Sequence, residues 1–194
     1  MPAFRAVAND APDTAPHHLL HAELAPSMEI TRFLTADCIR LGLVSGHLDQ
    51  IDPELPEKEG RAALKAAVME ELTDLFEASG EIRNRTKFLK DFLHREGMGS
   101  TAIGPGIAFP HVRSMQPRKT VLIFARTREG VWFDALDGEL THLFFGITGP
   151  TYDDKEFLRF HKWITTAFAQ ESWLAEALLN ADDEHEILKI LGHL

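Results

Sequence analysis

Leu64, Val68, Leu72, Leu75 and Phe76 recur at spacings of three and four through "RAALKAAVMEELTDLFEASG". That rhythm predicts a helix with one apolar face, closed by Gly80, a residue free to take the left-handed turn that ends helices. "NRTKFLKDFLHRE" repeats the pattern on a shorter scale with Phe88, Leu89, Phe92 and Leu93. Beyond residue 118 the period changes. "KTVLIFAR" and "HLFFGIT" are β-branched and aromatic runs of strand length. The "EGVWFDALDGE" between them, with its Asp137-Gly138 turn pair, predicts a hairpin-like return. From Asp153 onward the helical rhythm resumes with Phe157, Phe160, Ile164 and Phe168 on one face. "ESWLAEALLN" and "DDEHEILKIL" predict two shorter closing helices, the second with Asp182 and Asp183 suited to its N-terminus. Ahead of all this, "ITRFLTADCIRLGL" is a short apolar-rich opening segment, and "SGHLDQIDPELPEKEG" is expected to be an acidic surface loop. Helices flanking a few buried strands predict an α/β domain with a small mixed sheet.

One stretch fits neither rhythm. "GSTAIGPGIAFPHVR", Gly99 to Arg113, packs glycines, a short apolar run and a Pro-His pair into one loop. Gly99, Gly104 and Gly106 permit turns and let the main chain approach a bulky group. "GIAF" is expected to be a short buried strand, with Pro110 fixing φ just before His111. A neutral imidazole held this way is a competent nucleophile toward phosphorus when its other nitrogen has an acceptor. Such transfer also needs cations or N–H donors around the phosphoryl oxygens. Arg95 and Arg113 are the candidate cations, and Ser100 and Thr101 the candidate hydroxyl and main-chain donors. No G-x-x-x-x-G-K-[ST], H-E-x-x-H, G-x-S-x-G or C-x-x-C occurs. Nucleotide kinases and zinc hydrolases therefore find no footing in these motifs.

Composition narrows the partners. The 194 residues carry 20 basic against 30 acidic side chains, a formal charge of −10, which argues against nucleic acid or an anionic membrane surface. The lone Cys38 cannot form an internal disulfide and fits a reducing cytoplasm. No run reaches the roughly 20 apolar residues of a membrane span. "MPAFRAVANDAPDTAPHH" lacks the apolar core of a secretory signal. Residues 1–27 are expected to be an extension, mobile or docking. Its His17, His18 and His21 lack a convincing fourth partner for a metal. No metal or cofactor is expected.

"FLHREGMGSTAIGPGIAFPH" resembles the signature of enzyme IIA domains of the fructose/mannitol type, from the bacterial phosphoenolpyruvate-dependent sugar phosphotransferase system, including nitrogen-regulatory relatives. The likeness rests on an Arg-Glu pair, a Ser-Thr, a glycine-containing turn and Ile-Ala-x-Pro-His. It continues more loosely through "EGVWFDALDGELTHLFFGITGP" and the closing helices, covering about residues 28–194, with the acidic loop from Ile51 to Gly60 resembling an addition. The resemblance implies a cytoplasmic phosphoryl carrier with a mixed sheet flanked by helices. His111 would accept a phosphoryl group from the small carrier protein HPr and pass it to a IIB component. Arg95 would neutralise the phosphoryl oxygens. Family members that transport sugar often carry a second histidine early in the helix after the sheet. Here that place holds Phe157, and His161, one turn further on, is the possible accessory residue. A nitrogen-type regulatory protein and a IIA-like module that only binds proteins are the alternatives. His142 is expected at a strand end, His185 and His193 in solvent, and Trp132, Trp163 and Trp173 in packing.

Overall fold

The computed structural model describes residues 29–152 and 154–194. Residues 1–27, with His17, His18 and His21, and Asp153 as a helix start lie outside the described residues. The first long helix, α1, runs Glu57–Ala78, so the last part of the expected acidic loop is helical. Glu57 and Glu59 sit in its first turn, where carboxylates complement the free N–H groups, and Pro56 precedes it. Gly80 follows its end with φ +72°. The second helix, α2, spans Arg85–Gly97, and its N-terminus is capped by Asn84, whose side chain accepts the Lys87 N–H at 2.9 Å.

Five strands make one mixed sheet: β1 Ile39–Arg40, β2 Ile107–Ala108, β3 His111–Ser114, β4 Val121–Val131 and β5 Thr141–Pro150. The expected hairpin is its centre. β4 and β5 run antiparallel, with Phe124 opposite Phe145 and Ile123 opposite Gly146. β1, drawn from the apolar opening segment, adds in parallel beside β4. On the other side of β5, β2 and β3 lie end to end and parallel, Ile107 opposite Leu143 and His111 opposite Ile147. They share one register, so they form a single edge line interrupted at Phe109-Pro110. Pro110 has no N–H to give a ladder, yet its carbonyl still accepts the Ile147 N–H at 3.0 Å. Three helices close the chain: α3 Lys155–Gln170, α4 Leu174–Asn180 and α5 Glu184–Gly192. Asp183 caps the last by accepting the Glu186 N–H at 2.8 Å.

The sheet is sandwiched. On one face Phe76 of α1 meets Phe88 and Phe92 of α2 edge-on, ring centroids 5.2 and 5.6 Å apart. On the other, Phe109 and Phe145 meet Phe168 of α3, and Phe124 packs on Phe145. Trp163 is fully buried; Trp132 is half-buried beneath the Arg61 guanidinium, and Trp173 is at the surface. His142 stands second in β5, and His185 and His193 are exposed.

Gly146 is where α1 comes down on the sheet. A Cβ there would collide with Ile123 Cγ1 and lie 3.0 Å from Phe76 Cζ. Gly146→Ala is therefore expected to lower stability by about 1–3 kcal/mol. Gly97→Ala, in α2 with nothing within 4 Å of the new atom, should be neutral or stabilise by up to about 1 kcal/mol. Urea unfolding of the two variants beside the parent chain checks both values.

Candidate active site

Helix α2 ends where the edge line of the sheet begins its second half, and this brings two residues together that are 16 apart in sequence. Arg95, in the last turn of α2, donates from Nε to Nε2 of His111 at 3.0 Å. Its Nη1 donates to the Gly99 carbonyl at 3.1 Å, which anchors the guanidinium on its own loop. The other ring nitrogen of His111, Nδ1, lies 2.8 Å from the Phe109 carbonyl. A carbonyl can only accept and a guanidinium can only donate. Nδ1 therefore carries the proton, and Nε2 presents a lone pair.

His111 is half-buried, and burial is the main cause that lowers its pKa, with the Arg95 charge adding to it; the Phe109 carbonyl opposes both. The ring is neutral at pH 7, the form a nucleophilic imidazole requires. It stands at the wall of an open hollow of about 690 Å³, lined by Arg95, Met98, Arg113, Met115 and Phe157 among others. Met98 and Met115 are 70% and 57% exposed, an apolar rim around the polar floor.

Helix α3 supplies the remaining wall through Phe157, while His161 packs behind it and does not line the hollow. Phe157 and His161, one turn apart, both face His111, with ring centroids at 5.6 and 5.0 Å. The two imidazoles stand nearly perpendicular, 84° between their planes. Burial, then the neighbouring His111 and Arg95, pushes the pKa of His161 down to about 4. Its Nε2 is buried and makes no hydrogen bond. A polar atom left unsatisfied in the interior is costly, so this nitrogen marks a point where the packing leaves a donor or acceptor in reserve.

The other expected phosphate ligands are placed differently. Arg113 lines the hollow but is exposed, donating to the Thr151 carbonyl at 2.6 Å and pairing with the Asp154 carboxylate. Ser100 donates to the Phe133 carbonyl at 3.2 Å. Thr101 is buried, and both its N–H and its hydroxyl go to the Glu96 carboxylate, at 3.0 and 2.7 Å. Neither Ser100 nor Thr101 lines the hollow. Gly104 and Gly106 do take positive φ, 73° and 69°, whereas Gly99 has open space where a Cβ would stand and contributes its carbonyl instead. Two participants at the site leave little trace in the sequence. The Phe109 carbonyl carries no sequence signal, and Glu96 was visible only as half of an Arg-Glu pair.

Such a fold and site define a class: small mixed-sheet α/β domains that present one neutral histidine beside an arginine at the sheet edge. The chain belongs to the EIIA 2 family of the phosphoenolpyruvate-dependent sugar phosphotransferase system, whose profile matches residues 52–193. The match takes in the acidic loop from Asp52 that had resembled an addition. A fructose-specific EIIA component of Haloferax volcanii is 30% identical over 141 residues, 73% of this chain and 91% of that protein. A fructose-specific EIIABC component of Bacillus subtilis is 29% identical over 165 residues, 85% of this chain, which spans only 23% of that longer protein. Among solved structures, the nitrogen regulatory protein IIA-Ntr from Neisseria meningitidis superposes with a TM-score of 0.69 at 27% identity, covering 84% of this chain and 99% of that one. No helix among the described residues is long and apolar enough to cross a membrane.

The depressed pKa of His161 has a measurable consequence. Its folded value, about 4, lies below the ordinary 6.5, so the unfolded chain takes up the proton first on acidification. The stability tied to the neutral ring is complete above about pH 6.5 and is lost as pH falls toward 4. The charged and titratable groups facing His161 are His111 of β3 and Arg95 of α2, both opposing its protonation. Urea unfolding of His161→Leu and the parent at about pH 7, 6 and 5 should show a shallower acid decline in the variant. Parallel declines would contradict a neutral buried His161.

Proposed function

We propose that the chain is a cytoplasmic phosphoryl carrier that takes a phosphoryl group from the phosphohistidine of HPr onto Nε2 of His111 and delivers it to a IIB component. The observation that carries this reading is the pairing of Arg95 Nε with His111 Nε2 while Nδ1–H is held by Phe109. In the transfer, the Nε2 lone pair attacks phosphorus and the bond to the donor's ring nitrogen breaks, its electron pair staying on that nitrogen. The donor leaves as a neutral imidazole. One P–N bond replaces another, so no cofactor, metal or net proton is required. The protein contributes orientation and charge. As the phosphoryl group arrives, Arg95 shifts from the ring lone pair to the phosphoryl oxygens, where a guanidinium pairs well.

His161 is the accessory group in this proposal. Its free Nε2 stands beside the reacting ring, at the place on α3 where a donor to a phosphoryl oxygen would be useful, with Phe157 occupying the turn before. Arg113 reaches the same hollow from the other side and can exchange Asp154 for phosphate. The exposed Met98 and Met115 suit docking of a partner protein around the histidine. The Bacillus relative carries A, B and C components in its name, in keeping with delivery to a B component. A regulatory role that reads phosphorylation state is the second reading, favoured by the similarity to IIA-Ntr.

Incubation with phosphoenolpyruvate, enzyme I and HPr should place one acid-labile, base-stable phosphoryl group on the chain, seen by 31P NMR as Nε2-phosphohistidine. His111→Ala should accept none. Arg95→Ala should slow uptake by roughly 10²–10³-fold, the usual cost of losing one oxyanion-stabilising donor. Label persisting in His111→Ala would refute the assignment. Onward transfer to a purified IIB domain separates the sugar relay from the regulatory reading.

A further inference from the structure

The hydrogen bond that holds Nδ1 of His111 leads back to one buried carboxylate. Glu96 follows Arg95 on α2 but points inward and is 4% exposed. Oε1 accepts the Thr101 N–H at 3.0 Å and Oε2 the Thr101 hydroxyl at 2.7 Å. Lys65 of α1 pairs with Oε1 at 2.9 Å. From Thr101 the connection runs onward: its carbonyl accepts the Phe109 N–H at 3.0 Å, and the Phe109 carbonyl accepts Nδ1–H of His111 at 2.8 Å. The loop closed between Glu96 and Thr101 contains Gly99. That residue's N–H is held by the Glu96 main-chain carbonyl at 3.2 Å, and its own carbonyl holds Nη1 of Arg95 at 3.1 Å. Nδ1 is thus three hydrogen bonds from the Glu96 carboxylate, whereas the chain from Nε2 ends on the main-chain carbonyl of the same residue.

We propose that Glu96 is a positioning residue: through Thr101 it fixes the Phe109 carbonyl that holds Nδ1–H and so selects the tautomer in which Nε2 is free to react. The proposal rests on the carrier reading in taking Nε2 as the reacting atom. A buried carboxylate is an expensive way merely to hold a loop, since apolar packing of similar volume serves stability as well or better. What it supplies that apolar packing cannot is a directional acceptor for two donors of one residue at once. The peptide of Thr101 is thereby locked in the orientation that Phe109 needs.

The test uses the full chain with 15N-labelled histidine. The parent should show His111 almost wholly as the Nδ1–H tautomer. In Glu96→Ala an Nε2–H population should appear, and phosphoryl uptake from phospho-HPr should fall roughly tenfold to a hundredfold. Glu96→Gln, which keeps an acceptor for Thr101, should recover most of both. Leu178→Ala, a buried substitution in α4, serves as a control of comparable stability loss and should leave tautomer and uptake unchanged. If Glu96→Ala loses stability like the control while His111 stays Nδ1–H, Glu96 only holds the loop and the proposal is overturned. Should Glu96→Ala fail to fold, Thr101→Val decides by the same tautomer measurement. If the parent accepts no phosphoryl group yet the tautomer shifts as expected, the carrier reading falls and the positioning role stands.

Discussion

An imidazole held at both of its nitrogens is the constraint on which this molecule turns. The individual contacts are modest: a neutral hydrogen bond such as Nδ1–H to the Phe109 carbonyl contributes on the order of 1 kcal/mol to stability. In the proposed transfer their effect would be much larger, because fixing a nucleophile in one geometry removes orientational freedom that would otherwise be lost in the reaction, a contribution that can reach roughly 7–11 kcal/mol. Burial and the Arg95 guanidinium disfavour a second positive charge, so the ring is also kept in its neutral form. Orientation and protonation state thus come from the same few neighbours.

The rest of the fold is arranged to make those neighbours meet. β5 is the centre from which the edge line β2–β3 takes its register, and the break at Phe109-Pro110 leaves His111 opening a strand with no further strand outside it among the described residues. An edge leaves side chains from both faces of the sheet within reach. Arg95 arrives from α2, while Phe157 and His161 arrive from α3. The aromatic groups around Phe76 on one face and Phe168 on the other keep those two helices seated on the sheet.

Long elements were legible in the sequence, because a helix of two or more turns or a strand of ten residues repeats its pattern often enough to be read. That held for α1, α2, the β4–β5 hairpin and α3. β2 was legible as the buried "GIAF" run, but β1 and β3, two and four residues long, were too short to show a period. The start of α1 was placed too late because its first turn is acidic and looks like loop. At the site, the Pro-His pair and Arg95 were readable from local residue chemistry and family resemblance. The fate of Thr101 was not: nothing in "GST" says that its hydroxyl faces a buried glutamate and not the hollow.

The sequence alone therefore determined which residues could do chemistry, a strand-associated histidine and an arginine at a helix end, and the order of helices and strands around them. Both are local properties, set by side-chain type and short-range spacing. Only the tertiary structure decided which nitrogen of His111 carries the proton, that His161 as well as Phe157 faces it, and that the Glu96 carboxylate stands behind the Thr101–Phe109 contact. Those outcomes depend on hydrogen bonds and packing between elements distant along the chain, whose directions are settled when the sheet edge and the two helices close on one another.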